Sequence, residues 1–274
     1  MHIILGIDAG NYMCKVAGER ALLKFRSNIC DWFERHVEES FAGDDMEFDI
    51  NGRRGYAGTI AMFEDEFGNG TRYGDSKAHD DAKIRVMLAI HRYITYYAPE
   101  TTSVSLVTGQ PISTHRPDEK QSIVNALVGH HTIDVNHSPY EIEIKNVAVA
   151  PEGSAAFWSL EQPVNGLVHI LDIGSGTVNA ATINECRHIN SASATFNFGM
   201  ETITAHSPET MANGIIRNVS KLKWQKHERV LVCGGAADAV TPYLQSHFPN
   251  AELMKEYIYA NALGFYTLSQ GAFA

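Results

Sequence analysis

Two stretches of this chain share one pattern: Ile3–Ala17 reads IILGIDAGNYMCKVA, and Val168–Ala181 reads VHILDIGSGTVNAA. In both, an apolar run is followed by Asp, by Gly two residues later and by a second apolar segment. A short continuous apolar run predicts a strand buried on both faces, and turn residues directly after it predict a reversal into a returning strand. One Asp-x-Gly is a weak signal because any strand-ending turn favours it, but its repetition predicts two related hairpins.

The turns of these hairpins have the composition of phosphate-binding loops. Glycine lacks a Cβ, so backbone N–H groups can approach phosphate oxygens closely, and the hydroxyls of Ser175 and Thr177 add donors. Two carboxylates, Asp8 and Asp172, facing each other across a cleft would repel unless a cation lay between them. They therefore predict Mg²⁺ that is carried by the phosphates and coordinated largely by water. The alternative for either turn is a simple hairpin without a ligand.

A third glycine motif begins at Arg229 with RVLVCGG. A buried-type strand is followed by Gly234 and Gly235 and then by small residues that open a helix. Two interpretations remain open at this point: an ordinary strand-to-helix turn, or a place where a nucleoside lies flat on bare backbone.

The remaining periodicity predicts an alternation of strands and helices. Asn51-Gly52 after the alternating residues 46–50 is the strongest hairpin turn signal in the chain. Apolar residues at helical spacing predict a helix over 82–97, capped by Asp80 or Asp81. Further helices are expected at about 118–128, 153–160 and 257–269, and further strands at 104–108 and 140–149. Pro and Gly cluster at 162–166, the best candidate for a boundary between two lobes.

Composition limits the class of protein. With 274 residues, 44% hydrophobic and 20% charged, the chain is expected to fold into two modest lobes. Its 22 Lys and Arg against 32 Asp and Glu give a net charge of −10, which disfavours direct binding to nucleic acid. The four Cys are far apart, without a CxxC pair, and no apolar run is long enough to span a membrane. A soluble, cytoplasmic protein with reduced thiols is the expectation.

The succession of these motifs resembles the actin, sugar kinase and Hsp70 ATPase superfamily. Within it the chain is most similar to plasmid-segregation actins of the ParM type, on three further segments: Gly74-Asp75-Ser76, VTGQPIS from Val107, and VAPEG from Val149. One departure concerns length, since only 61 residues separate Asp172 from Cys233. In this family the second lobe usually has an upper subdomain, called IIB, and the interval here is too short to hold it. The resemblance is therefore to the short AlfA-like form, which lacks IIB.

The resemblance implies a two-lobed actin-like, ribonuclease H-like α/β fold with the nucleotide in the cleft. Each lobe has a mixed sheet of the five-stranded type with flanking helices. Lobe I would span 1–160, with a small β-rich insertion at about 31–75 (subdomain IB), and the helix at about 257–274 would return to it. Lobe II would span 165–256 and would be reduced to subdomain IIA.

The resemblance also implies the site residues and their roles. The nucleotide, ATP or GTP with Mg²⁺, would be held by two phosphate hairpins and an adenosine motif: Asp8, Gly10, Asn11, Lys15, Asp172, Gly174, Ser175, Gly176, Thr177, Gly234 and Gly235. Glu152 matches the residue that orients or deprotonates the attacking water, and Gln110 is a second catalytic candidate. The alternatives are that Glu152 is an ordinary first-turn acid of a helix and that Gln110 only orients a strand end.

The implied function is a filament-forming nucleoside triphosphatase, an ATPase or a GTPase, that segregates plasmid DNA. Its partners would be further copies of itself, head to tail, and a separate DNA-binding adaptor bound to a centromere-like site, with no direct nucleic-acid or membrane contact. Two other functions fit the same fold. One is a small-molecule kinase resembling type III pantothenate kinase, and the other is an inactive nucleotide-binding scaffold.

Overall fold

Two mixed sheets, one in each half of the chain, organise the fold. The computed structural model describes residues 1–37, 43–65, 76–162 and 164–274. The strands of the first sheet are β1 (His2–Ala9), β2 (Met13–Gly18), β3 (Leu22–Arg26), β4 (Ile29–Asp31), β5 (Met46–Ile50), β6 (Arg53–Ala57), β7 (Ser103–Gln110), β8 (Gly129–Val135) and β9 (Ser138–Pro151). They lie in the order β3-β2-β1-β7-β9-β8-β5-β6-β4.

The second sheet is built from the strands β10 (Leu167–Ile173), β11 (Val178–Asn184), β12 (Arg187–His188), β13 (Ala194–Phe196), β14 (Val230–Cys233) and β15 (Ala251–Leu253). Five of them follow the order β12-β11-β10-β14-β15, and β13 pairs with β11. The helices of the described chain are α1 (Thr59–Glu64), α2 (Asp80–Tyr97), α3 (Pro117–Leu127), α4 (Pro208–Val219), α5 (Ala237–Leu244) and α6 (Ala260–Phe273). Short 3₁₀ helices lie at Ile112–Thr114, Ala155–Ser159, Asn190–Ala192 and Ser220–Leu222. No helix in these described ranges is both long enough and apolar enough to cross a membrane.

The two hairpins predicted from the sequence are both present and have the same geometry. β1 pairs antiparallel with β2 and parallel with β7, and β10 pairs antiparallel with β11 and parallel with β14. The register places Asp8 opposite Lys15 and Asp172 opposite Asn179. Each aspartate therefore faces the residue seven positions later in the chain, so the sequence echo is also a structural one.

The predicted β-rich insertion contains the expected hairpin, formed by β5 and β6. Its turn has Asn51 at φ 52° and Gly52 at φ 86°, the left-handed conformation that an Asn-Gly turn adopts. The hairpin does not form a separate sheet, because β5 also pairs with β8 and so continues the first sheet. Residues 38–42 and 66–75 of the insertion, including Gly74 and Asp75, lie outside the described residues, as does Pro163 at the predicted boundary.

The helix predicted at 153–160 is wrong in its extent, because only Ala155–Ser159 is helical, as a 3₁₀ helix. β9 continues through Pro151, which pairs with Gln110 of β7, and the following turn is the 3₁₀ helix Ala155–Ser159. The physical reason is Gly153, whose φ of 73° is incompatible with a right-handed helix. α6 also begins later than expected, at Ala260.

The cap predicted for α2 is wrong as well. The N-cap is His79, whose ring accepts a hydrogen bond from the backbone N–H of Ala82 at 3.2 Å. Asp80 and Asp81 lie in the first turn of the helix instead, where their negative charge interacts favourably with the helix dipole.

Helices cover both faces of the first sheet. Leu106 of β7 lies in the hydrophobic cluster that contains α2, and its neighbour Val107 packs with Phe265 of α6 on the other face. The last helix thus returns to the first sheet. The segment between Asp172 and Cys233 contributes β11, β12 and β13 to the second sheet and also forms α4. The exact lobe limits, and the loss of subdomain IIB, remain our proposal.

The contact between β1 and α6 depends on Gly6. A Cβ on Gly6 would lie 2.2 Å from the carbonyl oxygen of Ala262 and 2.2 Å from the backbone nitrogen of Tyr266. Both are backbone atoms, so an added methyl group has to displace the whole helix.

We expect Gly6→Ala to lower the free energy of unfolding by about 3 kcal/mol, the upper part of the range for overpacking a core. Urea unfolding followed by circular dichroism measures it. The matched control is Gly271→Ala, in the same helix, where an added Cβ meets no heavy atom within 4 Å. That control should leave stability unchanged or raise it by up to about 1 kcal/mol. Equal stability of the Gly6 variant and the parent would contradict the close approach.

Candidate functional site

Three buried carboxylates meet where the two sheets face each other. Asp8 lies near the end of β1, Asp172 near the end of β10, and Glu152 directly after β9. Their residues are only 6–7% exposed. The side-chain amide of Asn179 donates to Glu152 Oε2 at 3.3 Å and to Asp172 Oδ2 at 3.2 Å, which ties the last two together. The structure therefore brings together both predicted metal-binding aspartates and the predicted catalytic base.

Two lysines compensate part of this negative charge. Lys15 Nζ lies 3.1 Å from Asp8 Oδ2. Lys77 Nζ donates to the carbonyl oxygen of Ala9 at 2.9 Å and lies 3.8 Å from Glu152 Oε1. Both side chains are largely buried, which makes each interaction stronger than a surface ion pair.

A second asparagine completes the support of Asp172. Asn261, in the first turn of α6, donates from Nδ2 to Asp172 Oδ2 at 2.9 Å. Its Oδ1 accepts from the backbone N–H of Gly153 at 2.9 Å, next to Glu152. Hydrogen bonds from amides stabilise the ionised form of a buried carboxylate.

Burial makes ionisation of these acids harder. It raises the pKa of Glu152 to about 7; Lys77 opposes this rise, and the charges of Asp8 and Asp172 add to it. Burial, and to a smaller extent the charge of Asp8, also raise the pKa of Asp172, whereas the hydrogen bond from Asn261 lowers it. A carboxylate whose pKa lies near neutrality is suited to accept a proton at physiological pH.

The loop of the first hairpin is shaped by Gly10 and Asn11. A Cβ on Gly10 would lie 2.7 Å from the carbonyl oxygen of Met13 and 3.4 Å from Lys15 Nζ, so no larger residue fits against the lysine. Asn11 Oδ1 accepts from Arg85 Nη1 at 2.9 Å, which anchors the loop to α2. The Lys15 ammonium thus lies directly beside the predicted phosphate loop.

The loop of the second hairpin, residues 174–177, is closed and braced. Gly174 N–H donates to the carbonyl oxygen of Thr177 at 3.0 Å, and Glu201 N–H donates to the carbonyl oxygen of Ser175 at 2.9 Å. A Cβ on Gly199 would lie 2.3 Å from the carbonyl carbon of Ser175, so the bracing segment packs directly on the loop. A Cβ added to Gly176 would meet no heavy atom within 4 Å, so there is room for a ligand beside this residue.

The two glycines of the third motif have different roles. Gly234 has a φ of 97°, and a Cβ there would lie 2.5 Å from the carbonyl oxygen of Ile173. Its requirement for glycine is therefore explained by packing against β10. Gly235 is exposed and has no heavy atom within 4 Å of the Cβ position, so its backbone is open to a ligand.

Gln110 is buried, and its polar atoms are engaged with the segment that leads into α2. Its Oε1 accepts from the backbone N–H of Lys77 at 2.8 Å, and its Nε2 donates to Ser76 Oγ at 3.3 Å and to the carbonyl oxygen of Thr114 at 3.4 Å. These contacts support the alternative that Gln110 positions its neighbours. Its catalytic role remains a prediction.

The residues present fit a magnesium ion that arrives with a nucleotide. No group of three or more His, Cys, Asp or Glu side chains in the described parts of the chain could hold a metal ion unaided. When Glu152 is ionised, the three acids Asp8, Glu152 and Asp172 nevertheless exceed Lys15 and Lys77 by one negative charge, which a bound cation can balance. Magnesium retains several waters and is usually held through few carboxylates together with phosphates, which suits this arrangement.

Four residues of the site were not predicted from the sequence: Lys77, Asn179, Gly199 and Asn261. The signal for Asn179 was present, because it follows Asp172 by the same seven residues that separate Lys15 from Asp8. Lys77, Gly199 and Asn261 carry no local signal, since each reaches the site from a distant part of the chain.

The comparisons with known proteins agree with this geometry. Residues 6–154 match the family model described as the N-terminal domain of actin-like proteins. The chain belongs to the actin-like proteins. No curated protein matches it.

Solved structures of actin-like proteins share the fold over the full chain. An AlfA filament bound to AMPPNP superposes with a TM-score of 0.80 at 21% identity, over 100% of each chain. The apo pSK41 ParM protein gives 0.79 at 16% identity, over 99% of this chain and 98% of that one. Ta0583, an archaeal actin homologue in complex with ADP, gives 0.74 at 17% identity, over 98% and 99%. The resemblance and the fold class predicted from the sequence are confirmed.

The hydrogen bonds of Asn261 generate a prediction about stability. In Asn261→Asp, a buried carboxylate replaces the amide that donates to Asp172. Repulsion between two buried acids should lower the free energy of unfolding by about 3 kcal/mol at pH 8. The loss should be smaller at pH 5, because protonation of one acid removes the repulsion and restores a donor. The control is Asn125→Asp on the exposed face of α3, and urea unfolding at both pH values measures each variant. A loss for Asn261→Asp that is the same at both pH values would contradict the charge explanation.

Proposed function

We propose that this actin-like protein is a nucleotide-dependent, filament-forming ATPase that segregates plasmid DNA. The observation that carries the proposal is the meeting of two Asp-x-Gly hairpins around three buried carboxylates and two buried lysines. AMPPNP in the AlfA filament and ADP in the archaeal homologue support nucleotide binding in the same fold.

In this proposal the phosphates of ATP or GTP lie between the two hairpin loops. Gly10 and Asn11 contribute the first loop, with the ammonium of Lys15 beside it, and residues 174–177 contribute the second. Gly234 and Gly235 directly follow β14, which pairs with the strand that carries Asp172. The nucleoside would lie against these two glycines. Asp8 and Asp172 would hold Mg²⁺ through its water shell, and the ion would neutralise charge on the phosphates.

Glu152 is the proposed general base. It would accept a proton from the water that attacks the terminal phosphate, which requires the ionised carboxylate. Asn179 donates to its Oε2 at 3.3 Å and the Lys77 ammonium lies 3.8 Å from its Oε1, so each oxygen has a partner of its own. Catalysis then depends on positioning and charge neutralisation, without a covalent intermediate.

The consequence of nucleotide binding would be head-to-tail assembly. Contacts between unlike surfaces that do not close generate open helical filaments, and hydrolysis would weaken those contacts. The net charge of −10 supports a separate DNA-binding adaptor as the link to a centromere-like plasmid site.

Right-angle light scattering with phosphate release in the same cuvette tests this function. With Mg²⁺ and ATP or GTP, we expect scattering above a critical protein concentration, followed by phosphate release, and no scattering with ADP or without nucleotide. Flat scattering with release of a phosphorylated small molecule would indicate a kinase, and binding without turnover would indicate a scaffold. Either result would contradict the proposal.

The pKa of Glu152 gives a prediction about pH. Because burial raises this pKa to about 7, the base is mostly protonated at pH 6 and ionised at pH 8. The rate of phosphate release should therefore rise with pH through about 7 and then level off. Glu152→Gln should slow release by about 100-fold and remove the pH dependence, giving longer-lived filaments.

The control for this variant is Glu161→Gln, a surface carboxylate paired with Lys255. It should keep both the rate and the pH profile of the parent. A Glu152→Gln protein that hydrolyses nucleotide at the parental rate would remove Glu152 from the mechanism.

A further inference from the structure

The positive charges in the second half of the chain are concentrated in one short segment. Five of the seven Lys and Arg residues after residue 160 lie within residues 217–229, the basic segment: Arg217, Lys221, Lys223, Lys226 and Arg229. The one acid in the segment is Glu228, and it is engaged internally. Its Oε2 lies 2.8 Å from His169 Nε2 and accepts from the backbone N–H of Gln225 at 2.6 Å. Arg229 is paired with the exposed Glu252 at 3.2 Å, so the local positive charge comes from the other four residues, all of them exposed. A protein of net charge −10 thus carries a locally positive surface.

The basic segment is anchored rather than loosely solvated. Trp224, at its centre, is buried and stacks on His169 with ring centroids 4.1 Å apart and an interplanar angle of 15°. Its Nε1 donates to the carbonyl oxygen of Ala192 at 3.0 Å. Lys223 and Lys226 flank this anchor and are exposed. The anchor therefore presents the two ammonium groups in a defined place.

The topology places the basic segment at the end of the second sheet that is remote from the nucleotide site. α4 leads into the segment, and β14 begins immediately after it at Val230. β14 runs parallel to β10 from its pair His169–Val230 to its pair Asp172–Cys233. The segment thus lies at the start of both strands, and Asp172 lies at their other end.

That other end carries exposed acids, which we call the acidic end: Glu201, Glu209, Asp238 and Glu256. They lie on the connections that follow β13, β14 and β15 and in the first turns of α4 and α5. Lys255, which shares this end, is paired with Glu161. The second sheet and its helices thus have a positive end and a negative end.

We propose that the basic segment of one copy docks on the acidic end of the next copy. This inference rests on the proposed function, because it identifies the surfaces through which the protein would assemble. Two molecules of net charge −10 repel each other, so local charges of opposite sign favour a contact between copies at these two surfaces. The two surfaces lie at opposite ends of one sheet, so the contact joins unlike surfaces head to tail, which is the kind of contact that an open filament needs. The same net charge disfavours a nucleic acid as the occupant.

The acidic end also has a direct link to the predicted phosphate loop. Glu201 N–H donates to the carbonyl oxygen of Ser175 at 2.9 Å, and Met200 N–H donates to that of Gly174 at 3.2 Å. Gly199 packs on the same loop. A nucleotide that orders residues 174–177 would therefore also position Glu201 for the neighbouring copy, which gives a physical route from nucleotide binding to assembly.

The test compares two double variants by light scattering with ATP and Mg²⁺. Lys223→Glu with Lys226→Glu should raise the critical concentration at least about tenfold, because like charges are then juxtaposed at the contact. The control, Lys24→Glu with Lys145→Glu, changes the net charge equally but alters exposed lysines of β3 and β9. It should assemble at a concentration close to that of the parent. Binding of a fluorescent ATP analogue should be the same in all three proteins, since these lysines lie away from the cleft.

A mixing experiment distinguishes a lost contact from a misfolded variant. Glu201→Lys with Glu209→Lys should also fail to assemble alone. Mixed in equal amounts with the Lys223→Glu, Lys226→Glu protein, it should restore scattering, because the altered surfaces then carry opposite charges and the copies can alternate. Added salt should weaken assembly of the parent and of the mixture.

Several results would overturn the interface. They are an unchanged critical concentration for the Lys223→Glu, Lys226→Glu protein, an equal effect of the control pair, and no scattering from the mixture. If the Lys223→Glu, Lys226→Glu protein assembles normally but no longer binds a labelled DNA duplex that the parent binds, the basic segment is a nucleic-acid site instead. Each of these leaves the proposed function standing as long as the parent assembles. Absence of assembly by the parent would contradict the proposed function itself, and the interface with it.

Discussion

The burial of three carboxylates at the junction of the two sheets is the constraint on which the rest of this structure depends. An ionised acid removed from water is costly unless it is paired or hydrogen-bonded. Asp8 receives Lys15 from the neighbouring strand, while Asp172 receives two amides, one of them from the last helix. Glu152 receives weaker support, and burial raises its pKa to about 7. The negative charge that the two lysines leave unbalanced makes the site receptive to a cation.

The groups that support these acids arrive from separate parts of the chain, so the site also joins those parts. Lys77 precedes α2 and bonds to the first hairpin through the carbonyl oxygen of Ala9. Asn261 belongs to α6 and links Asp172 to the turn at Gly153. A ligand that changes the charge balance at the carboxylates therefore acts at once on both hairpins and two helices. These hydrogen bonds are the physical route by which the proposed nucleotide would act on both halves of the protein.

The sequence predicted the fold best where the information is local. Both hairpins could be found because strand, turn and returning strand lie within 18 residues, and Asn51-Gly52 adopts the turn that its composition favours. The helix expected at 153–160 does not begin there because Gly153 has a left-handed φ of 73° and packs against Asn179, to which a Cβ would come within 3.0 Å. Lys77 and Asn261 could not be found, since their partners are long-range. Asn179 could have been found from the register that Asp8 and Lys15 share.

The arrangement of charge in the second half follows from the same topology that builds the site. Because β10 and β14 are parallel, the predicted phosphate loop, the third glycine motif and the starts of α4 and α5 lie together at one end of these strands. α4 runs back to the opposite end of the strands, so its last turn and the basic segment lie there. Carboxylates near helix N-termini and cations near helix C-termini are each favoured by the helix dipole. Helix electrostatics thus favours a polarity along the strands, and the proposed contact uses that polarity to join one molecule to the next.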